Sequence, residues 1–322
     1  MQKRIVVLGG AGFIGTHLCL RLLGQGHEVF CVDLREPAGS SLLRDTVRHP
    51  AFRYVHHNVV NTFGIRCDEI YNLTAPSTVR YDKLLPVEAL RTSILGAINT
   101  LDAARSEHAR VLLASSGEIY DTNFRDSCSA TSACPPDKRL FAEGKRAAET
   151  LHRAYHAEYG VDTRIARLFN TYGPGADPMD QRVVMKTIVA ALQNRDIVIY
   201  GSGEQLRTFC WVGDIVEGLM RLMAAPPTER TRIVDLGAEH EISVRALAEK
   251  IVAATGSSSR IVHVEARIGE ARRRRPDISG AQRDLGWKPT VTLAEGLERT
   301  IDYARSALAG QIPASMTWAE MN

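Results

Sequence analysis

A doubly wound, mostly parallel α/β sheet followed by a smaller C-terminal region is the fold class this sequence predicts, and three observations predict it. Short apolar runs of β-branched type alternate with helical patterns through the first half of the chain. The first run, Ile5-Val6-Val7-Leu8, leads straight into glycines at 9, 10, 12 and 15 and then into a helical pattern. After Gly173-Pro174-Gly175 the rhythm changes. A strand buried on both faces reads as a continuous apolar run, and strand–helix alternation puts helices on both faces of a parallel sheet. With 322 residues the chain is long for one core, so one large or two intimately packed domains are expected. The boundaries read as 1–170 and 171–322, with segments near 208–236 returning to the first domain.

The strand at 5–8 is followed by a helix at about 16–25, marked by Leu18, Leu20, Leu22 and Leu23. The next strand, His27 to Val32, ends in Asp33. Further strands are expected at 52–59, 69–73, 110–114 and 163–168, with helices at about 84–106 and 140–159 among them. Then come a helix at 182–193, a strand at 197–200 and the loop Gly201-Ser202-Gly203-Glu204. A helix at 212–223, a strand at 233–236, a helix at 243–254, a strand at 261–264 and helices near 279–285 and 293–308 complete the chain. Pro226-Pro227 marks a loop.

Strand, glycine turn and helix together make a dinucleotide-binding fingerprint. Gly9, Gly12 and Gly15 permit the tight turn, close approach of backbone to a pyrophosphate, and helix-on-strand packing. The helix N-terminus offers unpaired N–H groups and the positive end of its dipole to the phosphates. Asp33 lies about 20 residues past the last glycine, where a carboxylate accepts from a ribose 2′-OH and repels a 2′-phosphate; NAD is therefore expected over NADP. The plainer alternative is an ordinary strand–helix turn with a surface aspartate. In such a sheet the ligand sits beyond the carboxyl ends of the strands. Those ends carry Asp33, Asn58, Thr74-Ala75-Pro76, Ser115 to Glu118, and Asn170 to Pro174.

Composition narrows the class. Hydrophobic content of 44% and charged content of 24% are those of a soluble globular protein. A net charge of +3 gives no reason to expect nucleic acid. The apolar runs are too short to span a bilayer. Met-Gln-Lys-Arg leads directly into the first strand, so no signal peptide is expected. Cysteines 19, 31, 67, 128, 134 and 210 form no CxxC pair and read as reduced thiols of a cytoplasmic protein. No metal is expected. His152 and His156 are one helical turn apart but lack a third ligand or the glutamate of HExxH, and their helix reads as a dimer face. His56 and His57 point to opposite faces of a strand. Arg272 to Arg275 could be read as a nucleic-acid patch, but with only +3 overall and no interleaved aromatics a solvated basic loop is the fairer alternative.

Ser116 and Glu118 end a strand, and Phe141 and Lys145 share a helix face. With them stand GGAGFIGTHL (9–18), APSTVRYDKLLP (75–86), LLASSGEIY (112–120), EGKRAAET (143–150), ARLFNTYGP (166–174), DQRVV (180–184), YGSGEQLRTF (200–209) and RPDISGAQRDLGW (275–287). Over nearly the whole chain these stretches resemble the extended short-chain dehydrogenase/reductase (NAD-dependent epimerase/dehydratase) family of nucleotide-sugar enzymes. The last four discriminate best, and they are most similar to its UDP-glucuronate decarboxylase (UDP-xylose synthase) branch. The resemblance implies a Rossmann domain, an NAD cofactor, a UDP-sugar substrate and a homodimer paired through the helices near 84–106 and 140–159. It implies that hydride leaves C4 of UDP-glucuronate, that the resulting 4-ketone turns the C6 carboxylate into a β-keto acid, and that CO₂ departs. Protonation at C5 and return of hydride then give UDP-xylose, or the 4-keto-pentose is released. The alternatives are a nucleotide-sugar 4-epimerase or 4-oxidase and, from another class, a catalytically silent sugar-nucleotide binder.

Matched position by position, the resemblance assigns Ser116 to the C4 oxygen and Glu118 to the region of C5 and C6. It assigns Lys145 to the nicotinamide ribose, where it also lowers the pKa of a catalytic tyrosine. The plainer readings are a turn-capping serine, a solvated turn carboxylate and a surface lysine. Gly9, Gly12, Phe13, Ile14, Gly15, Asp33, Asn58, Val59, Leu73, Thr74 and Ala75 fall at cofactor positions. Pro76, Tyr81, Ser116, Asn170, Arg182, Tyr200, Arg207 and Arg274 fall at substrate positions, where arginine's planar fork suits phosphate and carboxylate. Dehydratase relatives carry Asp-Glu where this chain has Gly117-Glu118, and 4-epimerases usually lack the glutamate, which favours a decarboxylase. Asn58 stands where relatives have an aspartate near the adenine, and Gly175 replaces a basic residue. The larger departure is Phe141, in the slot of the family's Tyr-x-x-x-Lys general base. Three readings stay open: a naturally altered enzyme using Glu118, Tyr81 or water as base; a deliberate Tyr→Phe change; or binding without turnover.

Overall fold

A computed structural model of the protein describes residues 1–37, 42–44, 46–75, 85–120, 140–266 and 272–310. The first half runs β1 (Arg4–Leu8), α1 (Phe13–Gly24), β2 (Glu28–Asp33), β3 (Phe52–His56), β4 (Glu69–Asn72), α2 (Pro86–Glu107), β5 (Arg110–Ser116), α3 (Leu140–Tyr159) and β6 (Thr163–Leu168). The second half runs β7 (Thr171–Tyr172), α4 (Val183–Leu192), β8 (Ile197–Tyr200), β9 (Leu206–Thr208), β10 (Cys210–Trp211), α5 (Val212–Ala224) and β11 (Arg232–Leu236). It ends with β12 (Glu241–Ser243), α6 (Val244–Thr255), β13 (Ile261–Val264), β14 (Arg273–Arg274), α7 (Ser279–Leu285) and α8 (Leu293–Leu308).

Seven of these strands form one sheet in the order β3-β2-β1-β4-β5-β6-β11, and every pair in it is parallel. The alternation of side chains shows why β1 is apolar from Ile5 to Leu8. Ile5 and Val7 pack on one face with Leu18 and Leu22 of α1 and Ile215 and Leu219 of α5. Val6 and Leu8 pack on the other with Leu101 and Ala104 of α2. A strand segment covered by helices on both faces favours apolar residues at every position. The chain direction reverses neighbour order at β1 and β4, which opens a crevice beyond their carboxyl ends.

A second core lies beyond those ends. Ile188 of α4, Leu247 and Ile251 of α6, and Leu297 and Ile301 of α8 enclose Trp211 and Ile199. Helix α8 starts at a capping box in which Thr292 and Glu295 satisfy each other's backbone N–H groups. Asp214 in α5 joins the two cores. Its buried carboxylate accepts from Thr290 N, Thr290 Oγ1 and Val291 N at 3.0, 2.7 and 3.1 Å, and its carbonyl accepts from Trp287 Nε1 at 2.8 Å.

Three expectations are corrected. Strand β3 stops at His56 rather than residue 59, because Asn58 Oδ1 accepts from Val60 N at 3.2 Å and turns the chain. Helix α1 begins at Phe13, not near 16, since Gly12 itself serves as its N-cap. The run Arg272 to Arg275 is not simply a basic loop. It contains β14, which pairs with β9 so that Arg274 lies opposite Arg207, and β12 completes this small sheet. Strands of two or three residues leave no periodic signal. Among the described residues no helix is long and apolar enough to cross a membrane, and no cluster of metal-ligating side chains occurs.

Candidate functional site

The crevice is built from the glycine turn outward. Gly9, at φ 76°, donates to Val32 O at 2.8 Å, and Gly12 N donates to Gly9 O at 3.0 Å. Helix α1 has no side-chain cap and no acid in its first turn, so nothing of its own repels or replaces an anion there. A Cβ on Gly15 would stand 2.2 Å from Gly9 O and 2.8 Å from Gly10 Cα. Only hydrogen fits at that contact. Phe13 meets the His17 ring edge-on, with centroids 5.7 Å apart, and Ile14 packs between the two cores.

At the end of β2, Asp33 accepts from Ala11 N and Arg35 N, each at 3.0 Å. Each oxygen keeps acceptor capacity for a hydroxyl. Across the crevice, Leu73 N donates to Leu8 O at 2.9 Å, and Thr74 donates from N and Oγ1 to Asn72 Oδ1 at 3.1 and 2.6 Å. Ala75 follows half-buried. Val59 is buried, and its carbonyl accepts from Asn99 Nδ2 at 2.9 Å; Asn58 turns the chain just before it.

His17 ties α1 to the segment after β7. Its Nε2 donates to Pro174 O at 2.8 Å, and burial lowers its pKa to about 4, so the ring is neutral. Gly175, at φ 82°, lies against Leu42 and His17; a Cβ there would be 2.5 Å from Leu42 Cδ1. Glycine at 175 is therefore required by this packing and by the positive φ.

The reacting end gathers at β5. Ser116 Oγ accepts from Glu118 N at 3.2 Å and caps the short turn Gly117–Tyr120. A side chain at 117 would strike the Phe169 ring at 2.7 Å, which accounts for glycine there. Glu118 forms an ion pair with Arg274 Nη1 at 3.7 Å. Arg207, opposite Arg274 in the ladder, is buried, and its Nη1 donates to Leu206 O at 2.8 Å. Asn170 Nδ2 donates to Thr208 O at 3.0 Å and so holds β9 against the end of β6.

Lys145 is 3% exposed. Its Nζ donates to Thr74 O at 2.9 Å and Ala114 O at 2.8 Å, bridging two strand ends. Burial lowers its pKa to about 8, against the pull of Glu149 in the opposite direction. The Phe141 ring lies one turn earlier, 5.8 Å from Nζ to centroid. The structure therefore brings together Ser116, Glu118, Arg207 and Arg274, and separately joins Lys145 and Phe141 to the Thr74 wall. Arg182 is turned onto Asp180, with Nε at 2.6 Å from Oδ2, and Tyr200 lies 5.5 Å beneath the Lys186 ammonium. Pro76 and Tyr81 lie outside the described residues.

Sequence reasoning placed Ser115 at a strand end but missed Glu149 and Arg167, which hydrogen bonds join to it. The one available signal was the four-residue spacing of Lys145 and Glu149. His152, on the helix expected to form a dimer face, is completely buried in the chain, with its pKa lowered to about 4 by burial and its Nδ1 donating to Ala148 O.

The chain as a whole has counterparts among known proteins. The model of the NAD dependent epimerase/dehydratase family matches residues 5–237. The chain belongs to that family. Within the epimerase/dehydratase family it is similar to UDP-glucuronic acid decarboxylase 1 of Xenopus tropicalis, at 38% identity over 315 residues, covering 96% of this chain and 74% of the relative. It is equally similar to UDP-glucuronic acid decarboxylase 6 of Arabidopsis thaliana, at 38% over 301 residues, 92% of this chain and 87% of the relative. Among solved structures, MoeE5 in complex with UDP-glucuronic acid and NAD superposes with a TM-score of 0.79 at 29% identity, over 94% of this chain and 99% of that one. DesIV, a dTDP-glucose 4,6-dehydratase from Streptomyces venezuelae with NAD bound, gives 0.82 at 27%, over 97% and 100%.

Proposed function

We propose that this protein is an NAD-dependent UDP-glucuronate decarboxylase whose product is UDP-xylose or the 4-keto-pentose. The observation that carries this reading is the meeting of Glu118 and Arg274 beside Ser116, in a chain 38% identical to UDP-glucuronic acid decarboxylases. Loss of a carboxylate as CO₂ needs a cation to orient that carboxylate and an acid–base group near the carbon left behind. Arg274 and Glu118, ion-paired at 3.7 Å, supply these side by side.

The residues present fit NAD. The Gly9–Gly15 cradle and the uncapped start of α1 suit its pyrophosphate, and Asp33 suits the adenosine ribose. Asn58 and Val59 would flank the adenine, and Leu73, Thr74, Ala75 and Lys145 the nicotinamide end. When bound, NAD supplies the acceptor and donor of hydride at C4 of the sugar. Ser116 donates its hydroxyl to the C4 oxygen, and its own acceptor side is already oriented by Glu118 N. Arg207 and Arg274, side by side on β9 and β14, hold the anionic parts of the substrate. Asn170 positions that pair of strands.

Phe141 favours a second reading, a binder without turnover, because no hydroxyl stands at its place in α3. One assay separates these readings. With NAD and UDP-glucuronate added, CO₂ without net NADH marks the synthase, and CO₂ with NADH marks release of the keto-sugar. Tight binding of both ligands with neither product marks the silent binder. No binding of either ligand overturns the assignment altogether.

A homodimer through α2 and α3 is part of the same proposal. Val87, 65% exposed, and Leu95, 36% exposed, stand on α2 where such a partner would cover them. Sedimentation at the mass of two chains is expected, and a single-chain mass would exclude it. A cytoplasmic setting accords with free, buried Cys19, Cys31, Cys67 and Cys210.

A further inference from the structure

Lys145 is a buried cation whose two backbone partners, Thr74 O and Ala114 O, carry no charge. In that setting an ammonium keeps its proton only with an opposite charge nearby. The charge comes from the next turn of its own helix. Glu149 is 3% exposed and lies on the same face of α3. Three groups fix its carboxylate from the sheet side. Arg167 of β6 grips it with Nε at 2.9 Å and Nη2 at 2.7 Å, and Ser115 Oγ of β5 donates at 2.7 Å. These bonds and the two guanidinium charges hold Glu149 below the usual carboxylate range, although burial pushes the other way.

The row continues across the sheet. Ser115, Arg167 and Asp235 are in register on β5, β6 and β11. Arg167 Nη1 donates to Tyr120 OH at 2.6 Å, and that phenol donates to Asp235 at 2.9 Å. Charges thus alternate from Lys145 through Glu149 and Arg167 to Asp235. Among the described residues, the other groups facing this row include Arg153, 3.4 Å from Glu149, His152, which is neutral, and Asp277, whose backbone N donates to Asp235 at 3.4 Å and whose charge disfavours ionisation of Asp235. Helix α2 presents uncharged Ser93 and Leu90 to α3 at Gly144.

We propose that Glu149 is a positioning residue of the site: its carboxylate, clamped by Arg167 and Ser115, keeps the Lys145 ammonium charged and stationed between the ends of β4 and β5. What Lys145 then touches rests on the function proposed above, but the tie between Glu149 and Lys145 does not.

Lysine-selective ¹³C NMR of the whole chain, with the Lys145 signal assigned by its loss in Lys145→Arg, reads this tie without cofactor. The Lys145 midpoint is expected to fall by about one pH unit or more in Glu149→Gln. Should that variant not fold, Glu149→Gln/Arg167→Gln removes the carboxylate together with the charge it balances, and a smaller fall in the same direction is expected, because the nearer opposite charge outweighs the lost guanidinium. A folded variant with the midpoint unchanged overturns the proposal, including when its thermal stability has dropped, since that pattern belongs to a purely structural role. Calorimetry with NAD on the unaltered protein is run beside it. Absent binding there refutes the cofactor reading while the titration still decides the role of Glu149.

Discussion

Phe141→Tyr should raise the rate of UDP-glucuronate decarboxylation by about 10² to 10⁴-fold, the usual worth of one placed acid–base group. Position 141 is prepared for that group. It lies one helical turn before Lys145 on the same face, and the ring centroid is 5.8 Å from the ammonium. A hydroxyl added to the far end of this ring gains a neighbour that favours its ionised form. Lys145 is already held by two carbonyls, so the new phenol would not need to reorganise it. The gain should appear in kcat with little change in the KM for the sugar, because the phenyl ring already fills the space. Single-turnover release of ¹⁴CO₂ from labelled substrate measures it. An unchanged rate would mean that another group carries the proton, with Glu118 first in line.

Gly15→Ala should weaken NAD binding by roughly 100-fold or more, since an ångström-scale misplacement of a positioned element can cost about that much. The added methyl would stand 2.2 Å from Gly9 O and 2.8 Å from Gly10 Cα, and both are backbone atoms with no rotamer to yield. Either α1 withdraws from the turn or the turn flattens, and in both cases the N–H groups leave the pyrophosphate. Gly24→Ala on the same helix is the control. No atom lies within 4 Å of its Cβ position, so affinity should hold while stability rises by about 0.5 to 1 kcal/mol. Calorimetric titration of NAD into the three proteins makes the comparison. Normal binding by the Gly15→Ala protein would remove the cofactor from this crevice.

How far the sequence could be read differs from residue to residue, and the reason is range. Ile5 to Gly15 is legible because strand, turn and helix follow one another without interruption, and the packing that needs those glycines is local. Asp33 is legible because a parallel sheet always places the end of its second strand beside the end of its first. The burial of Lys145 is not. Its neighbours Gly144 and Arg146 give it the pattern of any helix lysine, and only carbonyls arriving from β4 and β5 enclose it. The pairing of Arg274 with Glu118 is hidden for the same reason. It requires β14 to lie alongside β9, and a two-residue ladder is held by tertiary contacts rather than by any preference of Arg273 and Arg274. The bidentate clamp of Arg167 on Glu149 crosses from strand to helix, so neither residue signals the other except through burial.

The path of the chain into β11 bears on how this protein can change over time. The last strand of the cofactor sheet and the helix that covers it, α5, are made only after the backbone has already built β7 through β10. Exchanging the C-terminal half for that of a cousin with another sugar preference would therefore remove a rib and its covering from the nucleotide floor. New specificities must arise by small edits in the connecting segments, with both halves inherited together.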